Sequence, residues 1–360
     1  MSRYAMIMAG GAGTRLWPMS RPAQPKQLIP FIDGRSLLQI AADRLEGVVP
    51  SDRRLICTGR DHLEVIRQRL PEFTEDRLLG EPTGRDTLNA IGLTATVLAL
   101  RDPEAVFAVL TADHLITPQD EFARCMQLGF DLVEADPKRM VTFGITPTHP
   151  ATGYGYVQLG KSVDGFDTAH HTVRFVEKPD EATARGYLES GDFAWNSGMF
   201  IFSAAGFLEA AAAFAPEAAA GLQTIGDAWS GQEREAVLDA VYPALPRISV
   251  DYGIMEPAST SGDFQVCTVP MAVQWIDVGS WPSYGETLES DDAGNRSNGP
   301  VEHLDSRNVL AVSEDPNHLI TTIGCEDLVV VHTPDATLVF PRDRDQDVKA
   351  MAQRVAERDD

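Results

Sequence analysis

The sequence predicts an α/β fold: a Rossmann-like mixed sheet, mainly parallel, with helices on both faces, followed by a small β-rich domain. Short apolar runs alternate with helical apolar spacing through the first half of the chain, as in parallel sheets whose strands are joined by helices. Near residue 290 the composition turns to Asp, Asn, Gly and Ser, and short strands then recur. We therefore predict a large domain over residues 1–290 and a small β-rich domain with a terminal helix over 291–360.

Composition narrows the class of protein. The chain has 360 residues, 43% of them hydrophobic, and a formal net charge of -23, which argues against nucleic-acid or anionic-membrane binding through bulk charge. An acidic chain that binds phosphates is expected to recruit a divalent cation, with Mg2+ the first choice. The scattered cysteines, the lack of a signal-peptide pattern and the lack of a bilayer-length apolar run predict a cytoplasmic protein. The cysteines are Cys57, Cys125, Cys267 and Cys325.

The first half supplies the parallel sheet. The run at 106–110 is apolar throughout, as in a central strand covered on both faces. Asp61 is placed to cap the second helix. Ligands of such sheets bind beyond the carboxyl ends of the strands, where the segments beginning at Gly10, Glu81 and Asp113 lie. The predicted strands are 5–9, 54–58, 78–79, 106–110 and 140–143, and the predicted helices are 36–46, 61–70, a long one ending near 101, and 119–134.

The second half is less regular. Polar loops beside the predicted strands suit sugar recognition, although a generic second lobe with surface turns fits equally. The alanine-rich run at 204–222 predicts one partly buried helix, and 264–269 and 273–276 predict a pair of strands. The latter ends at Asp277, which is placed either to bind a metal or to cap a helix starting near Ser280. The other predicted strands are 154–157, 173–178, 199–203, 309–312, 318–323, 328–331 and 337–340, and the predicted terminal helix is 345–358.

A glycine-rich loop follows the first strand and is itself followed by clustered positive charge. Such a loop predicts a pocket for a polyanion such as a nucleoside triphosphate, although an ordinary strand-to-loop connection is the alternative. It is not a dinucleotide fingerprint, because Leu16 replaces the third glycine and four prolines, Pro22 among them, prevent a continuous helix. It is not a P-loop, because Lys26 lies well beyond the glycines. The loop glycines are Gly10, Gly11 and Gly13, and the cations are Arg15, Arg21 and Lys26.

Motifs along almost the whole chain resemble those of the bacterial mannose-1-phosphate guanylyltransferases, within the sugar nucleotidyltransferases. The matching segments are GGAGTRLWPMSR with PKQ, EPTGRDTLNAI, TADH, ATGYGYV, FVEKP, WNSGMFIF, SVDYGIME, WIDVGSW and GCEDLVVVHTPDATLVF. The resemblance implies the nucleotide-diphospho-sugar transferase fold, with a catalytic domain at 1–290 and a small β-helix-like domain at 291–360. It also implies Mg2+-dependent transfer of GMP from GTP to mannose 1-phosphate, and a homodimer. Longer relatives carry an extra cupin-like isomerase domain that this sequence lacks, so phosphomannose isomerase activity is not expected.

The same resemblance implies a role for individual residues. Arg15 and Lys26 would neutralise the triphosphate, and Asp113 and Asp277 would hold Mg2+. His114 is expected to be structural rather than a base, because the attacking phosphate oxygen is already deprotonated. The nucleotide-binding residues would be Gly10, Gly11, Gly13, Gly84, Arg85, Thr87 and Asp113. The sugar-phosphate-binding residues would be Gly153, Glu177, Lys178 and Asn196.

Departures from the family pattern keep alternatives open. Many relatives have Asn-Thr-Ala-Pro-Ala where this chain has Asp86-Thr87-Leu88-Asn89-Ala90, close to the nucleotide pocket. Asp86 could accept hydrogen bonds from guanine or cap the following helix, and we favour the cap. The same chemistry with another nucleotide or hexose 1-phosphate is one alternative function. A non-catalytic sugar-nucleotide sensor is the other.

Overall fold

A computed structural model describes residues 1–11, 13–21, 24–32 and 34–359, apart from the side chain of residue 359. Pro22 lies outside the described residues. The chain forms two compact units. The first comprises Met1–Gly10, Ala41–Ala112 and Ile116–Gln274, and the second comprises Gly11–Ile40, Asp113–Leu115 and Trp275–Asp360.

The strands and helices of the first half follow the predicted alternation, with one additional short strand at His114–Thr117. The later helices at Glu181–Ser190, Arg234–Val241 and Glu256–Thr260 were not predicted. The strands are β1 (Ser2–Met8), β2 (Arg54–Gly59), β3 (Leu78–Glu81), β4 (Ala105–Thr111), β5 (His114–Thr117), β6 (Arg139–Ile145), β7 (Tyr156–Val163), β8 (Phe166–Val176), β9 (Phe193–Ser203), β10 (Gln265–Met271), β11 (Gln274–Asp277), β12 (Arg296–Ser297), β13 (Val301–Leu304), β14 (Leu310–Ser313), β15 (Ile320–Ile323), β16 (Leu328–Thr333) and β17 (Ala336–Pro341). The helices are α1 (Leu37–Asp43), α2 (Leu63–Arg69), α3 (Asp86–Arg101), α4 (Gln119–Ala135), α5 (Glu181–Ser190), α6 (Ala204–Phe214), α7 (Pro216–Ala228), α8 (Arg234–Val241), α9 (Glu256–Thr260), α10 (Trp281–Gly285) and α11 (Val348–Asp359).

A nine-stranded sheet organises the first unit, in the order β3-β2-β1-β4-β9-β6-β10-β8-β7. The first four strands are parallel, and β6 pairs with β10 in parallel. The strand β9 is antiparallel to both β4 and β6, and β7 and β8 form an antiparallel extension. The predicted mixed, mainly parallel sheet is therefore confirmed.

The first unit has a continuous apolar core on which the sheet depends. The strand β4 is buried at six of its seven positions, as expected for a central strand covered on both faces. Helix α3 is buried from residue 88 to residue 98 and packs against α6 and α7. Burial of this kind contributes roughly 25 cal/mol per Å2 of apolar surface, so the core holds the strand ends in fixed positions.

The second unit contains the small β-rich domain. The strands β12, β14, β16 and β17 form one sheet, and β13 pairs with β15. Apolar side chains from β14, β16 and β17, from α10 and from the loop after β1 share one core, which includes Leu16, Trp281, Leu310 and Val331. The predicted β-helix-like character is confirmed by the family comparison given below.

Three local predictions are wrong. The strand β10 pairs with β6 and β8, whereas β11 pairs with β5, so 264–269 and 273–276 are not partners. Helix α2 begins at Leu63 after the N-cap residue His62, which leaves Asp61 too early in the chain to be its N-cap. The alanine-rich run forms two helices rather than one, because Ala215 leaves helical geometry and Pro216 starts a new helix.

No described helix combines the length and apolar character needed to cross a membrane.

Candidate active site

Lys26 and Asp113 form an ion pair in the second unit. Lys26 opens a short 3-10 turn, and its Nζ lies 2.5 Å from Oδ2 of Asp113 and 3.4 Å from the backbone oxygen of Val278. The lysine side chain is 11% exposed and the aspartate side chain 24% exposed. An ammonium removed from water is costly unless an opposite charge accompanies it, so each group stabilises the charged form of the other.

Gly13 allows the glycine-rich loop to pack on Lys26. Its φ is +60°, a left-handed conformation that glycine adopts without strain, and a Cβ at this position would lie 2.6 Å from Cβ of Lys26. The hydroxyl of Ser20 donates to the backbone oxygen of Gly13 at 2.7 Å. The loop therefore covers the aliphatic part of the lysine and leaves its ammonium group directed at Asp113.

Asp277 lies beside this pair. One ligand atom from each of Asp113, His114 and Asp277 lies within 4.8 Å of the other two. The backbone N–H of Val278 donates to the backbone oxygen of Asp113 at 3.1 Å, which holds the end of β11 next to Asp113. Mg2+ prefers oxygen ligands and needs only one or two carboxylates beside phosphate and water, so the two aspartates fit it.

The Asp113 carboxyl is held in its charged form. Burial raises its pKa, but the positive charge of Lys26, with a smaller effect from His114, outweighs burial and leaves the pKa below its usual range. The carboxylate is therefore ionised at neutral pH, as a metal ligand must be.

His114 is held by an aromatic neighbour. The indole N–H of Trp275 donates to Nδ1 of His114 at 3.2 Å, and the two rings meet edge to face. The Nε2 atom of His114 lies 3.9 Å from Oδ1 of Asp113. This packing agrees with a structural histidine, since its Nδ1 already accepts a hydrogen bond.

Asp277 is not the N-cap residue of the helix that follows it. Ser280 is the N-cap residue of α10 and forms a reciprocal capping box with Ser283. The Asp277 carboxylate therefore does not cap this helix, which leaves it available for another role.

The two arginines of the glycine-rich loop have different surroundings. A Cβ at Gly279 would lie 3.4 Å from Nη2 of Arg15 and 3.4 Å from Oδ1 of Asp277, so this guanidinium and this carboxylate face the same glycine. Arg15 is exposed and also donates to Oε1 of Gln346 at 3.4 Å. Arg21 instead pairs with Asp335 at 2.9 Å, which ties the loop to the turn between β16 and β17.

The predicted base-pocket segment precedes and begins α3 in the first unit. Gly84 is exposed, with open space where a Cβ would lie. Asp86 is the first residue of α3, has a φ of 65°, and accepts a hydrogen bond at Oδ1 from the backbone N–H of Thr87. Its side chain therefore binds a backbone donor in the first turn of the helix, although the N-cap position itself is occupied by Arg85. The Thr87 hydroxyl accepts from the backbone N–H of Val250 at 2.8 Å, a structural bond that the sequence did not indicate.

Two buried polar residues fix this segment. The amide of Asn89 donates to the backbone oxygens of Arg85 and Pro246, at 2.8 and 2.7 Å. Glu81 accepts from the hydroxyl of Tyr242 at 2.6 Å, and burial raises the pKa of the Glu81 carboxyl. The sequence placed Glu81 at a strand end but did not indicate its partner, because Tyr242 lies 161 residues away.

Glu177, Lys178 and Asn196 meet in the first unit. Nζ of Lys178 lies 2.7 Å from Oε1 of Glu177, and the lysine backbone is left-handed with a φ of 44°. A Cβ at Gly155 would lie 2.5 Å from Oε2 of Glu177 and 3.4 Å from Cβ of Asn196, so both side chains crowd the same glycine. Gly153 is exposed and has open space around its Cα.

Asp251 belongs to the same cluster, although the sequence did not identify it as a site residue. It begins a π-helical turn (Asp251–Met255), and its Oδ1 accepts from Nδ2 of Asn196 at 2.9 Å. Burial, and then the negative charge of Glu177, raise its pKa to about 7. The SVDYGIME segment that contains it matched the family pattern, but no spacing rule connected it to Asn196.

Comparison with known proteins gives the same family along almost the whole chain. The family model described as nucleotidyl transferase matches residues 4–293, and the one described as a MannoseP isomerase/GMP-like beta-helix domain matches residues 300–355. The mannose-1-phosphate guanylyltransferase of Escherichia coli (strain K12) is 37% identical over 362 residues, which cover 98% of this chain and 73% of the relative. The Klebsiella pneumoniae protein of the same name is 37% identical over 96% of this chain and 72% of the relative. A solved structure from Thermus thermophilus, described as a mannose-1-phosphate geranyltransferase, has a TM-score of 0.87 and 32% identity over 99% of this chain and all of that one.

Proposed function

This chain belongs to the nucleotidyl transferase family, and we propose that it transfers GMP from GTP to α-D-mannose 1-phosphate, forming GDP-mannose and pyrophosphate. The observation that carries the proposal is the Lys26–Asp113 pair beside Asp277, at the end of the glycine-rich loop. Transfer between two phosphate groups needs positioned positive charge, which a buried lysine and a cation held by two carboxylates can supply.

The reaction needs no nucleophilic side chain. A phosphate oxygen of mannose 1-phosphate attacks the α-phosphorus of GTP, a new P–O bond forms, and the bond to the oxygen shared with the β-phosphate breaks. The electron pair of that bond leaves with pyrophosphate. Because the attacking oxygen is already deprotonated at neutral pH, the protein has to place and neutralise charge rather than remove a proton.

We assign the neutralising roles to Arg15 and Lys26. Nucleotidyltransferases generally use a divalent metal, and we propose that Asp113 and Asp277 hold Mg2+ here. When bound, the ion would withdraw charge from the phosphate oxygens. Lys26 is already desolvated, so its charge acts more strongly on a phosphate than a solvated lysine would.

We assign substrate recognition to two further sets of residues. The nucleotide-binding set is Gly10, Gly11, Gly13, Gly84, Arg85, Thr87 and Asp113, and the sugar-phosphate set is Gly153, Glu177, Lys178 and Asn196. The division into a catalytic domain (1–290) and a small domain (291–360), the homodimer and the cytoplasmic location stay predictions.

Pyrophosphate release tests the proposal. The purified protein is assayed with Mg2+ against GTP, ATP, UTP and dTTP, each combined with mannose 1-phosphate and glucose 1-phosphate. We expect the highest kcat/KM for GTP with mannose 1-phosphate. No release with that pair would overturn the proposal, and preference for another pair would keep the chemistry but change the substrates. Binding of GDP-mannose without turnover would indicate a sensor.

A further inference from the structure

The Asn196 amide is fixed by bonds to both of its polar atoms. Its Oδ1 accepts from the hydroxyl of Thr142 at 2.7 Å and from the backbone N–H of Gly198 at 3.3 Å. Its Nδ2 donates to Oδ1 of Asp251 at 2.9 Å. Asn196 is 7% exposed, and Thr142 is fully buried. These contacts determine which end of the amide is nitrogen and in which plane it lies.

An amide nitrogen carries two hydrogens, and among the described residues Asp251 accepts one of them. Because the NH2 group is planar, the bond to Asp251 also fixes the direction of the second N–H of Asn196. This amide lies in a cluster where the side chains of Glu177 and Asn196 both approach Gly155. We infer that Asp251 is a positioning residue of the proposed sugar-phosphate site, which orients the Asn196 amide by accepting one of its N–H groups. This inference rests on the proposed function.

The charged groups that act on Asp251 come from a neighbouring loop. Glu177 and Lys178 follow β8, and they raise and lower its pKa respectively. Asn196 comes from β9 and is neutral, and Tyr252 is adjacent on the same turn. The apolar side chain of Leu88, from α3, packs against Gly253, because a Cβ added at Gly253 would collide with Cδ1 of Leu88.

The same surroundings make the affinity of the proposed sugar-phosphate site dependent on pH. The carbonyl oxygen of a neutral carboxyl still accepts a hydrogen bond from Asn196, so orientation persists when Asp251 is protonated. Once ionised, Asp251 adds a negative charge beside Glu177, which disfavours a bound dianion. Because the pKa of Asp251 is about 7, the affinity for a sugar phosphate should fall as pH rises through 7.

Three variants test the inference. Asp251→Ala removes the acceptor, Asp251→Asn keeps an acceptor of the same shape without charge, and the exposed Asp263→Asn in the loop before β10 is the control. The measurements are KM for mannose 1-phosphate and for GTP, kcat, and melting temperature, at pH 6 and pH 8. The KM for GTP reports damage that is not specific to the sugar-phosphate site.

At pH 6, where most of the wild-type Asp251 is protonated, we expect Asp251→Ala to raise KM for mannose 1-phosphate about tenfold, the usual size for loss of one such hydrogen bond. The KM for GTP should change less than twofold. In the wild type this KM should rise between pH 6 and pH 8, by no more than about tenfold for one ionisation. Asp251→Asn should match the wild type at pH 6 and bind mannose 1-phosphate more tightly than the wild type at pH 8. Asp263→Asn should behave as the wild type.

Other results overturn the inference. These are an unchanged KM for mannose 1-phosphate in Asp251→Ala at pH 6, equal increases in both KM values at that pH, or the same pH dependence in Asp251→Asn as in the wild type. If Asp251→Ala does not fold, the pH comparison with Asp251→Asn decides by itself. A wild-type protein that releases no pyrophosphate overturns the proposed function and this inference together, whereas active wild type with an unaffected Asp251→Ala overturns only the inference.

Discussion

Asp113 and Asp251 are both partly buried aspartates in polar clusters, yet their carboxyl groups are driven in opposite directions. Burial disfavours the charged form of each. Asp113 has Lys26 at 2.5 Å, and its pKa is lowered. Asp251 has a neutral amide as its hydrogen-bond partner and Glu177 as a charged neighbour, and its pKa is raised to about 7.

The difference shows that burial raises the pKa of an aspartate unless a close positive charge, such as that of Lys26 beside Asp113, outweighs it. A carboxylate that is ionised at every physiological pH suits a permanent cation site. A carboxyl group that titrates near 7 suits a site where an extra negative charge would repel the ligand.

The largest effect should come from Asp113→Asn, which removes the partner of Lys26 and a proposed metal ligand at once. We expect kcat/KM for pyrophosphate release to fall on the order of 10³-fold. Binding of Mn2+, followed by electron paramagnetic resonance, should weaken in parallel. Asp292→Asn, an exposed aspartate in the same unit, is the control and should keep both properties. Activity within tenfold of the wild type would remove Asp113 from the metal site.

Lys26→Met should follow closely, because it leaves the Asp113 carboxylate without its counterion. We expect a loss of roughly 10²-fold to 10³-fold in kcat/KM and a free energy of unfolding lower by about 3 kcal/mol. Urea denaturation measures the second quantity. Lys26→Arg keeps the charge and should recover most of the stability, but less of the activity, because a guanidinium differs from an ammonium in shape. Equal losses in both variants would contradict the role of charge.

Gly13→Ala should displace Lys26 without altering any charge. The added Cβ would lie 2.6 Å from Cβ of Lys26, and the left-handed backbone disfavours alanine. We expect about a tenfold loss of kcat/KM and a destabilisation of about 1–2 kcal/mol. The exposed Gly262→Ala, which has open space for a Cβ, should change neither value. An unaffected Gly13→Ala would mean that the loop does not position Lys26.

The smallest effect should be the pH dependence of stability. The raised pKa of Asp251 means that the folded protein binds its proton more tightly than the unfolded chain does. Its contribution is therefore complete below the usual value of 3.8 and is lost as pH rises to about 7. Asp251→Asn should gain melting temperature relative to the wild type between pH 5 and pH 8. Asp113 behaves oppositely: its contribution is present above 3.8 and is lost as pH falls below it. A constant difference between Asp251→Asn and the wild type across pH would contradict this assignment.

Much of the fold could be predicted because its signals are local. The apolar run of β4, the amphipathic spacing of α4 and the cap residue Ser280 each depend only on residues that are close in sequence. The candidate site was predicted less from such patterns than from motifs in family order. Motifs identified Lys26, Asp113 and Asp277 as members of one site, and the structure brings these three together.

The sequence by itself thus determined the alternation of strands and helices in the first half of the chain, the glycine-rich loop and the residues worth testing. Only the tertiary structure decided that β11 pairs with β5, that Glu81 meets Tyr242 and that Asp251 holds Asn196. Periodicity and turn chemistry depend on neighbours along the chain, whereas these contacts depend on how the whole core packs. The charge of a buried carboxyl follows from the same packing, because its pKa is set by groups that are distant in sequence and close in space.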